Sequence, residues 1–497
     1  MARITVIRGG RVLDAASHAA SAQDILVDGD TIREIGPPGL AAPADAVAID
    51  ARGRLLMPGL VNAHTHGNGN LAKGMGDRWT LETLINAGSH LNGHRTNEDK
   101  YLSCLLGGLE MIRSGTTACY DLLGEYPLPT VEGFHAAARG YEEAGVRALL
   151  ATMVGDRNVY TAIPGLLESL PPPLRAHAER YEAAPTDQAL RAVADLLRGW
   201  RSPDARIALA VAPTVPLYCS DRFILGCRDM ARDAGLRLQM HVAESKAEAV
   251  GGLRRYGKTL TAHLDEIGFL GPDVTAAHGV WLDDDDMARM AHHGVAVAHN
   301  PGSNLRLGCG IAPAGKLRAR GVAVGIGTDG PHCADGQNMF LAMRTTSLAC
   351  RVASPDYREW FKSEDVLAMA TEGSARAMGL DNAIGRLTPG FKADIVFLDL
   401  GHVNFVPFND PVNQIVSTEN GAAVDSVMIG GRLVLDHGCF PHVDFERVRR
   451  RVEERVAALR ALNAEARHVA ALLEDAVGSY CVGLARAPYH IERRLPQ

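Results

Sequence analysis

Two histidines one residue apart close the apolar run Met57-Pro58-Gly59-Leu60-Val61-Asn62-Ala63-His64-Thr65-His66. On a β-strand, residues i and i+2 point to the same side, so His64 and His66 aim both imidazoles at one point just past the strand's end. That arrangement suits a metal ion, although in a chain with 19 histidines a lone His-x-His pair also arises by chance. The other apolar runs decide between the two. His241, His278 and His299 each close one, and Asp329 stands in Gly327-Thr328-Asp329-Gly330 after another. Polar residues in these positions are hard to reconcile with a packed core, where each would need its own hydrogen-bond partner.

Three imidazoles and a carboxylate suit Zn(II) best, with Fe(II) or Mn(II) also accepting the set. His64, His66, His241 and Asp329 are read as the ligands of one divalent metal ion, with a position left for water. A metal lowers the pKa of its water towards neutrality and so supplies hydroxide. A proton must then reach the leaving group. Glu244, in His241-Val242-Ala243-Glu244, is the expected shuttle. The competing reading is a surface Glu favoured by a helix dipole. His278 would orient the hydroxide, polarise the substrate, or hold Asp329, and each role keeps it in the site.

These side chains need a scaffold that brings strand ends together. Candidate strands run Gly59 to Asn62, Thr116 to Asp121, Arg147 to Met153, Ile207 to Ala212, Arg237 to His241, Val274 to His278, Val295 to His299 and Val322 to Gly327. Helical patterns, such as Asn97 to Ser114 and Asp187 to Trp200, separate them. The pattern predicts an α/β fold, a (β/α)8 TIM barrel with its active site at the strands' C-terminal ends. Short β-segments before it (Ile4 to Ile7, Arg11 to Leu13, Asp24 to Val27, Thr31 to Ile35) and after it (Phe391 to Leu398, Val424 to Leu435) predict one small β-domain built from both termini. The expected domains are 1–58 with 389–442, the barrel over 59–388, and a helical extension over 443–497. In that extension Val448 to Leu473 reads as one amphipathic helix on the barrel's outside, and the tail beyond Gly478 as either a cover for the site or a dimer contact.

Composition bounds the function. Of 497 residues, 46% are apolar and 22% charged, and the net charge of −7 argues against nucleic acid or another polyanion. No apolar run reaches the roughly 18 residues of a membrane span, and the N-terminus is too soon interrupted by Arg8 for a signal peptide. Nine cysteines without CxxC pairs fit reduced thiols, with Cys104, Cys119, Cys219 and Cys227 as core fillers. The expectation is a cytoplasmic enzyme with a small-molecule substrate, and a homodimer by default.

Pro58-Gly59-Leu60-Val61-Asn62-Ala63-His64-Thr65-His66, His241-Val242-Ala243-Glu244, Ala277-His278-Gly279, His299-Asn300-Pro301-Gly302-Ser303-Asn304 and Gly327-Thr328-Asp329-Gly330 together resemble the amidohydrolase superfamily. The likeness is to its mononuclear-metal aminohydrolases: cytosine, guanine and S-adenosylhomocysteine deaminases and the triazine hydrolases. It implies a distorted barrel with a flanking β-sandwich from both termini, and the metal, acid/base and electrophile roles for His64, His66, His241, Asp329, Glu244 and His278. Binuclear members carry a carboxylated lysine on the fourth strand. Here that strand reads Ala208-Leu209-Ala210-Val211-Ala212-Pro213-Thr214, which favours one metal.

The resemblance implies hydrolytic deamination of a flat N-heteroaromatic bearing an N–C–NH2 group, a pyrimidine, purine, pterin or triazine. An acid at Glu244 favours a C–N over a C–Cl leaving group. The alternatives are a same-fold hydrolase cleaving a carbamate, urea or aryl-chloride bond, and a non-catalytic scaffold, which the complete ligand set disfavours. Lys73, Asp77, Arg78 and Trp79 in the loop after the first strand are expected to line the pocket, Trp79 by stacking on a ring. Asn304, His332, Asp335 and Asn338 are further pocket candidates. Guanine deaminases carry an Arg-Phe-Cys-Pro type stretch after the fourth strand, where this chain has Pro213-Thr214-Val215-Pro216.

Overall fold

The computed structural model describes residues 4–334 and 336–494. Strands β1 (Ile4–Asp14), β2 (Ala19–Asp28), β3 (Thr31–Gly36), β4 (Val47–Asp50) and β5 (Arg54–Pro58) precede the barrel. The barrel strands are β6 (Leu60–Thr65), β7 (Thr116–Gly124), β8 (Arg147–Val154), β9 (Ile207–Pro213), β10 (Leu238–Val242), β11 (Val274–His278), β12 (Ala296–His299) and β13 (Val324–Ile326). After it come β14 (Ile395–Asp399), β15 (Val424–Ile429) and β16 (Arg432–Leu435).

The first and last groups form one sheet in the order β16-β15-β14-β5-β1-β2-β3, with β4 on β1. Its seam is the antiparallel pairing of β5 with β14, from Ile395 opposite Pro58 to Asp399 opposite Arg54. The two chain ends thus build a separate β-domain, as their sequence style predicts. Ile7, Ile25, Val27, Leu56, Ile395 and Phe397 fill its core.

β6 to β13 form the parallel sheet of the barrel in sequence order. Small residues line its interior, among them Ala118, Ala151, Ala210 and Ala212 beside Val61 and Tyr120. The eighth strand is short, and it meets the first through side chains and one bridging amide rather than a ladder. Asn62 Nδ2 donates to Thr328 Oγ1 (2.8 Å), Thr328 N donates to the Asn62 carboxamide (3.0 Å), and Asp329 N donates to His64 O (2.9 Å). This closure is the distortion of the barrel, and it places two expected ligands, His64 and Asp329, side by side.

The C-terminal extension differs from the single outer helix expected. It forms two helices, Phe445–Leu462 and Ala464–Arg486. Between them the buried Asn463 donates through Nδ2 to Leu459 O and Gly93 O, tying the end of the first helix to the segment after the helix Leu81–Asn92. The second helix buries Leu473, Val477, Cys481 and Leu484 against Val159, Tyr160, Ile163, Leu166, Ala247 and Val250, all in segments that follow β8 and β10. It therefore lies over the C-terminal end of the barrel. The residues after it continue that cover: Glu492 pairs with Lys246, and Arg493 donates to Val280 O and Leu282 O. The tail thus packs on the mouth of the barrel, as the first of its two expected roles requires. Among the described residues no helix is long and apolar enough to cross a membrane.

Candidate metal centre

Each imidazole at the barrel mouth is fixed by its Nδ1. His64 Nδ1 donates to Gln239 Oε1 (2.5 Å), His66 Nδ1 to Leu122 O (2.8 Å), and His241 Nδ1 to Thr214 O (2.8 Å). The acceptors sit on or beside other barrel strands, so the barrel itself selects the tautomer that leaves Nε2 unprotonated and facing inward. Asp329 Oδ1 lies 3.2 Å from His66 Nε2 and 3.6 Å from His64 Nε2, and His241 Nε2 lies 3.2 Å from His66 Nε2. Ligands at zinc's usual bond lengths sit about 3.3–3.4 Å apart around a tetrahedron. The three separations are thus near that spacing, and the His64, His66 and Asp329 donor atoms all fall within 4.8 Å of one another.

Electrostatics agree with a cation at that point. His64 Nε2 is buried with no hydrogen-bond partner, and inward-facing nitrogen lone pairs repel unless a positive charge stands between them. Burial opposes the charged form of His66, yet the Asp329 carboxylate raises its pKa. Burial likewise opposes ionised Asp329, but His64 and His66 hold its carboxyl well below the usual range. His241 is pushed well down by burial and then by the surrounding imidazoles, so it is neutral and able to ligate.

Glu244 and His278 flank this centre. His278 Nε2 lies 3.4 Å from Glu244 Oε2 and 3.8 Å from Asp329 Oδ2, and its Nδ1 is bonded to Asn304 Oδ1 (2.9 Å). Burial drives His278 down to about 3, so the ring is neutral. Burial, with Asp329, Glu248 and Glu82 nearby, raises Glu244 well above an ordinary carboxyl, which favours its protonated form. Glu244 thus opens no surface helix. The helix Lys246–Tyr256 begins after it, capped by Ser245, whose Oγ accepts from Glu248 N.

The local backbone is strained where it turns side chains inward. Ala243, His278 and Asp329 have φ of 51°, 70° and 65°, a left-handed region costly for residues with a Cβ. Glu248 fixes the first of these turns: its carboxylate accepts from Ala243 N (3.3 Å) and Glu244 N (2.8 Å).

Other expected pocket residues divide. Asn304 holds His278, and its Nδ2 is buried without a partner. The His332 ring centroid lies 6.2 Å from that of His66, and its pKa is lowered to about 4 by burial. It packs so closely on the first-strand loop that a Cβ at Gly69 would stand 2.1 Å from its Nδ1. Trp79 packs with Leu84, Leu307, Cys309 and Cys333, and Cys309 Sγ reaches Glu244 Oε1 at 3.9 Å. Trp79, Lys73, Asp77 and Arg78 line a cleft of about 610 Å³ against the C-terminal helices. Lys73 is not brought to the centre, because Glu110 holds its ammonium. Asn338 is a correction: its side chain caps the helix Met339–Ala353 and donates to Asn420 O, which turns it away from the site. Asp335 lies outside the described residues. His299 lines a separate cavity with Pro313 and Phe361.

Sequence reasoning missed Gln239, Glu248 and the two carbonyl acceptors. Gln239 had a readable signal, since it stands two residues before His241 on an apolar strand and so shares its face.

A parallel barrel with histidines and an aspartate gathered at its C-terminal mouth is the architecture of a metal-dependent hydrolase. The chain matches the amidohydrolase family over residues 55–434 and belongs to it. It is 34% identical to a 5'-deoxyadenosine deaminase of Methanothermobacter thermautotrophicus over 87% of this chain and 93% of that one. It is 33% identical to a 5-methylthioadenosine/S-adenosylhomocysteine deaminase of Desulforamulus reducens over 91% of this chain and 98% of the relative. Among solved structures, an adenosine deaminase of Xanthomonas campestris with bound zinc superposes with a TM-score of 0.80 at 25% identity, covering 92% of this chain and 98% of that one. An atrazine chlorohydrolase of Arthrobacter aurescens complexed with zinc gives 0.80 at 26% identity, over 91% and 100%.

Proposed function

We propose that this chain hydrolytically deaminates an adenosine-type nucleoside, replacing the exocyclic amine with oxygen from water and releasing ammonia. The observation that carries this reading is the buried Glu244 carboxyl, 3.4 Å from His278 Nε2 and grouped with Asp329 at the edge of the histidine cluster, where burial favours its protonated form. The likeness to deaminases of 5'-modified adenosines supports the substrate class.

His64, His66, His241 and Asp329 would hold one divalent ion, zinc by the likeness to zinc-bound neighbours. Such an ion supplies Lewis acidity and lowers the pKa of a water in its remaining position. Glu244 delivers its proton to a ring nitrogen as water adds at the amine-bearing carbon, takes one proton from that water and passes it to the departing amine, and recovers the water's second proton as the C–N bond breaks and the C=O bond forms. The neutral His278, anchored by Asn304, presents an Nε2 lone pair that orients the attacking water. The free Nδ2 of Asn304 is a donor for a ring acceptor, and Trp79 and His332 border the base. A carboxyl that can protonate nitrogen favours loss of an amine over loss of chloride.

The test is ammonia release from zinc-loaded protein with adenosine, 5'-deoxyadenosine, 5'-methylthioadenosine and S-adenosylhomocysteine, against cytosine, guanine and an amino-triazine. Turnover confined to the adenosine group is expected. Loaded protein that is silent on all four nucleosides overturns the reading.

A further inference from the structure

The two oxygens of Asp329 face different partners. Oδ1 looks towards His64 and His66, while Oδ2 looks towards His278 at 3.8 Å. On that second side His278 Nε2 is fully buried and makes no hydrogen bond, and it lies 3.4 Å from Glu244 Oε2. The donor atoms of Glu244, His278 and Asp329 all fall within 4.8 Å of one another. One imidazole nitrogen with carboxylate oxygens at 3.4 and 3.8 Å is near the donor spacing around one small cation.

We propose that Glu244, His278 and Asp329 form a second, weaker site for a divalent cation such as zinc, with Asp329 bridging it to the first centre, and that its occupancy shuts the enzyme off. Carboxylate-bridged ions about 3.5–4 Å apart are a common arrangement. The second site is weaker for two reasons: it offers three protein ligands, one of them shared, and its ion is repelled by the first. An ion there occupies the His278 lone pair and the Glu244 carboxylate, so neither can handle protons, and it stands where the base must lie. Inhibition is therefore competitive with substrate. The inhibitory consequence rests on the deaminase reading, whereas the site itself does not.

The experiment is equilibrium dialysis of the one-ion holoenzyme against buffered free Zn²⁺, with metal counted per chain and ammonia release from adenosine followed on the same samples. Occupancy is expected to rise from one to two as activity falls at least about 10-fold, with both reversed by a chelator that spares the first ion. Glu244→Gln and, as a second variant, His278→Gln keep the first ion and bind the second at least about 10-fold more weakly, the least that loss of a metal contact costs. Occupancy fixed at one overturns the site, and so does a second ion that binds both variants undiminished, because it then sits elsewhere. A second ion that leaves turnover intact overturns the inhibitory role. The metal counts read on the site even for a chain that deaminates nothing.

Discussion

The Gln239 carboxamide bridges the first and fifth barrel strands, accepting from His64 Nδ1 at 2.5 Å and donating through Nε2 to Ala63 O at 3.1 Å. It is fully buried inside the barrel, and it fixes the ring of a proposed metal ligand that has no other partner for Nδ1. Gln239→Leu removes this support at nearly constant volume. Zinc affinity is expected to fall by about 10–100-fold, read by competition with a chromophoric chelator. An unchanged affinity would mean that packing alone orients His64.

His66→Ala and Asp329→Ala remove ligands outright. Both are expected to be purified with well under one metal per chain and with turnover reduced to background. Full occupancy in both variants would remove these residues from the ligand set.

Glu244→Gln keeps the shape and the metal but cannot move a proton. A loss of about 10²–10⁴-fold in kcat is expected, with metal content unchanged. A near wild-type rate would leave the proton transfers to another group.

The pH profile follows from the same carboxyl. Its pKa is raised by burial and by neighbouring carboxylates, so the protonated form persists to higher pH than in an ordinary Glu. Donation to the ring nitrogen needs that form, and kcat/KM should therefore fall as pH rises through the Glu244 pKa. Because His278 titrates near about 3, it contributes no limb around neutrality. The alkaline limb should vanish from the residual activity of Glu244→Gln; its survival there would assign it elsewhere.

Glu248 touches no reacting atom, but it holds the Ala243 turn that aims Glu244 inward. Glu248→Ala leaves two buried amides unpaired, a cost of about 1–3 kcal/mol each. The expected result is a lowered Tm and a reduced kcat with metal content intact, and Glu248→Gln should recover part of both. An equal loss of kcat in Glu248→Gln and Glu248→Ala would point to charge rather than to the turn.

The barrel and the cluster of His and Asp at its mouth were legible because period and burial leave a mark in sequence. An apolar run that ends in His or Asp stands out, and eight apolar runs in order, most of them ending so, define the barrel sheet. The supports of the rings were not legible where they are backbone: Leu122 O and Thr214 O have no side-chain signature. Loop residues failed for a related reason. Lys73 and Asn338 have polar side chains in the right segments, but an ion pair and a helix cap turn them elsewhere. The extension reads as one amphipathic helix over Val448 to Leu473, and amphipathicity says neither where the chain breaks at Asn463 nor what the apolar face will meet.

The seam between β5 and β14 sets a schedule for how the protein is made. The strand that ends at Pro58 leads directly into the first ligand strand, yet its partner at Ile395–Asp399 emerges only after the whole barrel has been synthesised. At about 5–20 residues per second that delay is on the order of tens of seconds. Throughout it, one edge of β5, with Leu55, Leu56 and Met57, stays unpaired. The nascent chain is thus most exposed to aggregation, and most in need of a chaperone, before its last β-strands appear.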